Sequence, residues 1–161
     1  MIGGLFKRGH SLDPYMSYLI AIDGSEQSRR TLEYAMDLAD DTGVPLVGIH
    51  VVGPTVFDDD RTSRSVGGDH RQLRDQLKDA KARGERMLAE AADAARDRGH
   101  HLDTHLEFGD PVDRIIDFSD EHDVDAIFVG HRSREARAER FLGSVAKGIA
   151  ERANVPTTIV R

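Results

Sequence analysis

Short apolar runs alternate along this chain with segments of helical period, and this alternation limits the possible folds more than any other feature. Compact apolar runs occur at 18–22, 45–52, 124–129 and 157–161, and a run of alternating polarity occurs at 103–108. Apolar runs of this length are typical of strands buried on both faces of a sheet. Strands that alternate with helices indicate an α/β domain with a parallel five-stranded sheet and right-handed crossovers.

Two helices are predicted in the first half of the chain from apolar residues at three- and four-residue steps. The first covers 28–41 and ends at Gly43, since glycine readily adopts the left-handed conformation that closes a helix. The second is long and covers 73–95. Gly84 lies inside it and predicts a kink or a split there.

Two further helices have recognisable start signals. Gly109-Asp110-Pro111 places Asp at an N-cap and Pro at the first helical position, and we expect this triplet to start a helix and do nothing more. Gly143-Ser144 opens a last helix, which Asn154-Val155-Pro156 closes. Asp125 falls in the predicted fourth strand, where a structural hydrogen-bonding role is expected.

The domain is predicted to cover residues 17–161, after an extension at 1–16 that shows no period and is expected to be mobile. The segment 53–68 is a long polar loop, either functional or disordered. No apolar run approaches the roughly 20 residues of a membrane helix. The first ten residues lack the apolar region of a signal peptide, so a cytoplasmic protein with no membrane partner is expected.

Composition excludes several classes of site. The chain has no cysteine, which removes disulfides, thiol nucleophiles and cysteine-bound metals, and its net charge of −7 argues against nucleic acid as a partner. His100, His101 and His105 are expected to be solvated surface residues, and Asp58-Asp59-Asp60 a solvated loop, so no metal site is predicted. The arginine-rich segment 132–140 is interpreted as a flexible loop beside a phosphate.

Motifs of several enzyme classes are missing from the sequence. There is no Gly-x4-Gly-Lys-Ser/Thr loop, no Gly-x-Gly-x2-Gly fingerprint and no Gly-x-Ser-x-Gly elbow. No residue is an evident general base for hydrolysis. We therefore predict no catalytic residue.

Candidate binding residues come directly after the predicted strands, because ligands of open α/β sheets bind at the carboxyl ends of strands where the strand order reverses. Asp23-Gly24-Ser25 follows the first strand, and Gly130-His131-Arg132-Ser133 follows the fourth. Gly143-Ser144 stands at a helix N-terminus, where backbone N–H groups and the helix dipole attract phosphate. His131 is a candidate contact beside that site, whereas His50 is expected to be a satisfied core residue.

These residues resemble the universal stress protein family. The order Asp23-Gly-Ser, His50-Val51, Gly109-Asp110-Pro111 and Gly130-x2-Ser133-x9-Gly143-Ser144 matches the family over nearly the whole domain. ATP-binding members carry Gly-x2-Gly-x9-Gly-Ser/Thr. This chain keeps both spacings and departs at Ser133, where the family has glycine.

The resemblance implies a sheet order of 3-2-1-4-5 and a nucleotide cleft between the first and fourth strands. Asp23 would then contact the ribose, and Ile22 and Val51 would flank the adenine. The phosphates would be held by Gly130, Arg132, Ser133, Gly143, Ser144 and Val145, and Ala21 and Ser25 complete the implied contacts. The resemblance also implies a homodimer that pairs through Val155 to Arg161.

Three functions stay open from the sequence. The first is an ATP-binding stress-response regulator, with Mg²⁺ as an optional companion and AMP or another adenine nucleotide as alternative ligands. The second, favoured by Ser133, is a dimer of structural or protein-interaction role that binds no nucleotide. The third is an ATP-dependent adenylating or slowly hydrolysing enzyme, for which the chain leaves no room for a substrate domain.

Overall fold

The computed structural model of the protein describes residues 17–53, 70–132 and 142–161. The predicted extension at 1–16, most of the predicted loop at 53–68, and Ser133 lie outside the described residues. No helix within the described ranges is both long enough and apolar enough to cross a membrane.

Strands and helices alternate along the described chain as the sequence pattern predicts. In chain order the elements are β1 (Tyr18–Ala21), α1 (Glu26–Thr42), β2 (Leu46–Val52), α2 (His70–Asp97), β3 (Leu102–Phe108), α3 (Pro111–Glu121), β4 (Ala126–Gly130), α4 (Ser144–Arg152) and β5 (Thr157–Val160).

The five strands form one parallel sheet in the order β3-β2-β1-β4-β5. The predicted α/β fold and strand order are therefore confirmed. The chain adds β2 and β3 on one side of β1 and then crosses to add β4 and β5 on the other. The order reverses between β1 and β4, so the loops that leave these two strands diverge and open a cleft at the carboxyl edge.

Two apolar layers pack on the two faces of the sheet. One joins α1 and α2 to the sheet through side chains such as Ile20, Met36 and Leu88. The other joins α3 and α4 to the opposite face through side chains such as Leu19, Ile127 and Ile149. Successive residues of β1, Leu19 and Ile20, enter opposite layers, as the alternation of side chains along a strand requires.

Local signals set the ends of α1 and α3. Ser25 is the N-cap of α1, and its Oγ accepts from the Ser28 N–H at 3.1 Å, so this helix begins two residues before the predicted start. Gly43 ends α1 with φ of 68°, as predicted. Asp110 caps α3 and Pro111 occupies its first turn, again as predicted.

Three sequence expectations need correction. Helix α2 is continuous through Gly84, because the glycine is used for close packing against the sheet and not for a break. Asp125 precedes β4; its N–H donates to the Ser17 carbonyl at 2.9 Å before the ladder begins. Two histidines expected in solvent are instead half-buried: His100 Nε2 lies 2.8 Å from Asp40 Oδ1, and the His105 ring packs on Phe118.

Candidate functional site

A cleft of about 530 Å³ opens at the carboxyl edge of the sheet. Its floor is the ends of β1, β2 and β4. One wall is a face of α2, and the opposite wall is the first turns of α3 and α4. This is the place where the reversal of strand order predicts a ligand site, and the volume lies within the range of small-molecule sites.

The turn after β1 holds Asp23 in a fixed position. Asp23 Oδ1 accepts from the Ser25 N–H at 2.9 Å, and the Asp23 N–H donates to Ser28 Oγ at 3.1 Å. Ser28 is buried, and its hydroxyl also donates to the Ala21 carbonyl at 3.4 Å. The turn, together with the first turn of α1, thus places a carboxylate at the floor of the cleft.

The corner between β4 and α4 contains the start of a helix whose N-cap residue provides no side-chain cap. Gly143 is the N-cap of α4, and as a glycine it has no side chain to bond the amides of the first turn. The Gly143 N–H donates to the His131 carbonyl at 2.8 Å, which ties the helix start to the residue after β4. Ser144, Val145 and Ala146, in that first turn, line the cleft. Uncapped N–H groups at a helix N-terminus attract an anion.

Gly130 has a packing reason to be glycine as well as a place in the cleft. A Cβ on Gly130 would lie 3.2 Å from Gln27 Cβ, at the start of α1. The Gln27 side chain also accepts from the Arg132 N–H through its Oε1 at 3.1 Å. The glycine therefore lets the end of β4 pack against α1, independently of any ligand.

The structure brings most of the predicted site residues together and leaves two aside. Gly143 adjoins the cleft without lining it, and Ser133 is outside the described residues. The predicted residues that line the cleft are Ala21, Ile22, Asp23, Ser25, Val51, Gly130, Arg132, Ser144 and Val145.

Sequence reasoning missed one whole wall of the cleft. Ala80, Arg83 and Met87 of α2 line it, and so does His50, whose Nδ1 lies 2.6 Å from the Ile22 carbonyl oxygen. His50 is satisfied, as expected, but it is half-buried in the cleft and not in the core. The helical period shows which α2 residues share a face, yet no local signal tells which turn of that face meets the cleft.

The structure places the residues of two other expectations differently from the sequence interpretation. Asp110 and Pro111 line the cleft as well as starting α3, because α3 begins at the same edge of the sheet as α4. His131 is absent from the lining; it is buried, and its N–H donates to the Val160 carbonyl at 2.7 Å. Burial, with the charges of Arg161 and Arg132, lowers the pKa of His131.

Within residues 17–53, 70–132 and 142–161, no group of three or more His, Asp or Glu side chains is placed to hold a metal ion. The carboxylates that line the cleft are Asp23 and Asp110. The cleft as described is thus a site with apolar and hydrogen-bonding walls, two carboxylates and two arginines, Arg83 and Arg132.

Comparisons with known proteins agree on one family. The model of the universal stress protein family matches residues 14–161. Universal stress protein YxiE of Bacillus subtilis is 29% identical over 143 residues, which cover 89% of this chain and 97% of YxiE.

Two solved structures of similar proteins contain an adenine nucleotide. A universal stress protein in complex with cAMP has 26% identity and a TM-score of 0.66, with 92% of this chain and 98% of that chain covered. The universal stress protein of Archaeoglobus fulgidus in complex with dAMP has 27% identity and a TM-score of 0.62, with 91% and 98% covered. The sheet order, the cleft and the match over residues 14–161 together show that this chain belongs to the universal stress protein family.

Proposed function

We propose that this chain binds an adenine nucleotide, ATP first of all, in the cleft between β1 and β4, and acts as a nucleotide-dependent stress-response regulator. The observation that carries the proposal is the uncapped start of α4 beside an open cleft of about 530 Å³. An anionic ligand gains hydrogen bonds from first-turn amides and a favourable interaction with the helix dipole.

The distribution of polarity along the cleft fits the parts of a nucleotide. Ile22 and Val51 offer apolar surface for adenine on the side of β2. Asp23, in the middle, can accept hydrogen bonds from ribose hydroxyls, as acidic residues do in other nucleotide-binding folds. Ser144, the first-turn amides of α4 and the Arg132 guanidinium lie on the side of β4, where phosphates gain most.

The two similar proteins solved with cAMP and dAMP support adenine and ribose as the recognised parts. Our choice of ATP among the adenine nucleotides rests on the β4 side of the cleft, where Gly130 and Gly143 keep the spacing of the ATP-binding members. We propose Mg²⁺ as a companion of the triphosphate and not as a resident ion. No described residue supplies an evident base, and the proposed activity is binding with at most slow hydrolysis.

We further propose that two copies pair through β5. This strand is an edge of the sheet, and its residues are half-buried in the single chain. The Val160 carbonyl accepts from the His131 N–H, and the Pro156 carbonyl accepts from the Ile127 N–H. By the alternation of a parallel ladder, the N–H of Thr157 points away from β4 and can pair with a second copy.

Nucleotide binding is tested by calorimetry and thermal unfolding with ATP, with and without magnesium. We expect saturable binding, and we expect Asp23→Ala to abolish it. Because Asp23 Oδ1 also orders the turn at Ser25, the control is Asp23→Asn, which keeps an acceptor for the turn while removing the charge. Absence of heat and of a thermal shift at millimolar ATP in the wild-type protein would leave the non-binding dimer as the function.

The dimer is tested separately by light scattering coupled to size exclusion. Thr157→Pro removes the outward N–H of β5, and we expect it to yield monomers. Thr157→Val is the matched control, since it keeps the N–H and a β-branched side chain. A monomeric wild-type protein contradicts the dimer without touching the nucleotide proposal.

A further inference from the structure

Helix α2 offers one cation to the cleft, and the proposed nucleotide contacts do not include it. Ala80, Arg83 and Met87 are spaced by three and four residues and together form the α2 wall. The Arg83 side chain is exposed, and no ion pair or hydrogen bond joins it to another described residue. Arg98, the residue directly after α2, is by contrast paired with Asp37 and Asp40.

Close packing beside Arg83 fixes where its backbone lies. A Cβ on Gly84 would come within 2.7 Å of both His50 Cδ2 and Leu106 Cδ1, so the missing side chain lets α2 rest directly on β2 and β3. The His50 ring is itself held by its contact with the Ile22 carbonyl. Arg83 directly precedes Gly84, so this contact also fixes the backbone of Arg83 beside the carboxyl end of β2.

A second contact anchors the same wall one turn later. Met87 Sδ lies 3.1 Å from the position that a Cβ on Gly24 would take, in the turn directly after Asp23. The α2 wall is thus fixed at β2 by Gly84 and at the β1 turn by Met87. Arg83 directly precedes the first of these contacts along the helix, so it has a defined position at the margin of the cleft.

The strand order decides which part of a nucleotide Arg83 can meet. In the order β3-β2-β1-β4-β5, the phosphate corner at β4 and the end of β2 lie on opposite sides of β1, which carries Asp23. With the ribose at Asp23 and the phosphates at α4, the base lies toward β2. A guanidinium carries only donors and stacks on aromatic rings, so it suits a purine face or ring nitrogens.

We propose that Arg83 contacts the purine base of the bound nucleotide and so is a further binding residue of this cleft. The inference rests on the proposed function, and it assigns to α2 the recognition of the base. It predicts that the contribution of Arg83 is the same whether the ligand carries three phosphates, one or none.

The experiment compares adenosine, AMP and ATP as ligands of the full chain, with binding followed by ¹H–¹⁵N chemical shifts, which measure dissociation constants into the millimolar range. Arg83→Ala is expected to weaken all three ligands by at least about fivefold, or about 1 kcal/mol. Arg83→Lys keeps the charge without the planar group and is expected to recover only part of the loss. Arg86→Ala, an exposed arginine one turn further on α2, is the matched control and should bind as the wild type does.

Each other outcome overturns the inference in a distinguishable way. A loss with ATP but not with adenosine shows that Arg83 meets a phosphate. If Arg83→Ala binds all three ligands with unchanged affinity, Arg83 is a surface cation that contacts no ligand. If the wild-type protein binds ATP but not adenosine, the cleft does not recognise the base. Only a wild-type protein that binds none of the three ligands removes the proposed function as well.

Discussion

Helices α3 and α4 both begin on the same wall of the cleft, yet their first turns are satisfied in different ways. In α3 the Asp110 carboxylate accepts from the Asp113 N–H at 3.0 Å and places a negative charge at the helix N-terminus. In α4 the N-cap is Gly143, which has no side chain to bond the first-turn amides. A helix start at this edge of the sheet can thus carry its own side-chain cap, and the lack of one at Gly143 supports our proposal that the α4 corner receives an anion.

The largest expected effect comes from giving α4 the cap that α3 already has. Gly143→Asp puts a carboxylate on the first-turn amides, where it competes with phosphate and repels it. We expect ATP affinity to fall at least about a hundredfold, or about 2.7 kcal/mol. Stability should be equal or a few tenths of a kcal/mol higher, because Asp is the better N-cap and the φ of −60° suits any residue.

Calorimetry with ATP and thermal unfolding measure the two effects of Gly143→Asp separately. Gly143→Asn is the control, since it caps without charge and should lose less affinity than the Asp variant. ATP binding within twofold of wild type in Gly143→Asp would mean that the α4 start receives no phosphate.

The next effect tests whether the two helix starts form one rigid wall. A Cβ on Gly148 would lie 2.7 Å from Val112 Cγ2, and the β-branched Val112 has little freedom to turn away. Gly148→Ala should therefore destabilise the fold by about 1–3 kcal/mol and weaken ATP binding by separating α3 from α4.

Denaturant unfolding of Gly148→Ala gives the stability change, with Ala150→Gln at an exposed position of the same helix as control. That control should stay within about 0.5 kcal/mol of wild type. Unchanged stability in Gly148→Ala would show that the helices adjust without strain, and the wall would then not be rigid.

A smaller effect is expected from removing the N-cap side chain of α3. Asp110→Ala removes the cap and should cost about 1 kcal/mol of stability. It also removes a carboxylate from the cleft, so ATP affinity should rise about twofold. Asp110→Ser keeps a cap and removes only the charge. Its stability should stay close to wild type with the same gain in affinity, and weaker ATP binding in this variant contradicts the comparison.

The smallest expected effect is a pH dependence of stability that arises from His131, whose carbonyl accepts from the Gly143 N–H. Burial and the charges of Arg161 and Arg132 lower the pKa of His131 in the folded chain. Just below about pH 6.5 this histidine is therefore protonated in more of the unfolded chains than of the folded chains. The free energy of unfolding should therefore fall as pH drops from about 6.5 toward the lowered pKa. His131→Gln should flatten this slope and His101→Gln, at an exposed position, should not; equal slopes in wild type and His131→Gln would contradict the burial argument.

Much of the cleft floor and the α4 part of one wall could be predicted from the sequence, because they depend on chain positions that follow strands. Asp23 follows an evident buried strand. Gly143-Ser144 follows Gly130 at the spacing of the family motif, and the resemblance to that motif identified it. Neither depends on how helices are oriented, and both lie at or beside the cleft. The strand order came from the resemblance and not from local pattern.

The α2 wall could not be predicted in the same way. Arg83 and Met87 reach the cleft only because Gly84 lets α2 lie close to β2, and that depth of packing depends on residues far apart in the chain. The same glycine looked like a break because its local effect on a helix is unfavourable, while its long-range effect is the favourable one. His131 was misplaced because its burial follows from the pairing of β4 with β5 at Val160.

The length of α2 gives its contact at Gly84 a mechanical consequence. The helix runs from His70 to Asp97, so about 14 residues extend on each side of the contact, or about 21 Å at 1.5 Å per residue. By this geometry a bend of about 5° at Gly84 would displace the His70 end by about 2 Å. Since Leu88, Ala91 and Ala95 pack the second half of α2 into the core, only the first half is placed to move in this way, and a small change at Gly84 would be largest at its far end.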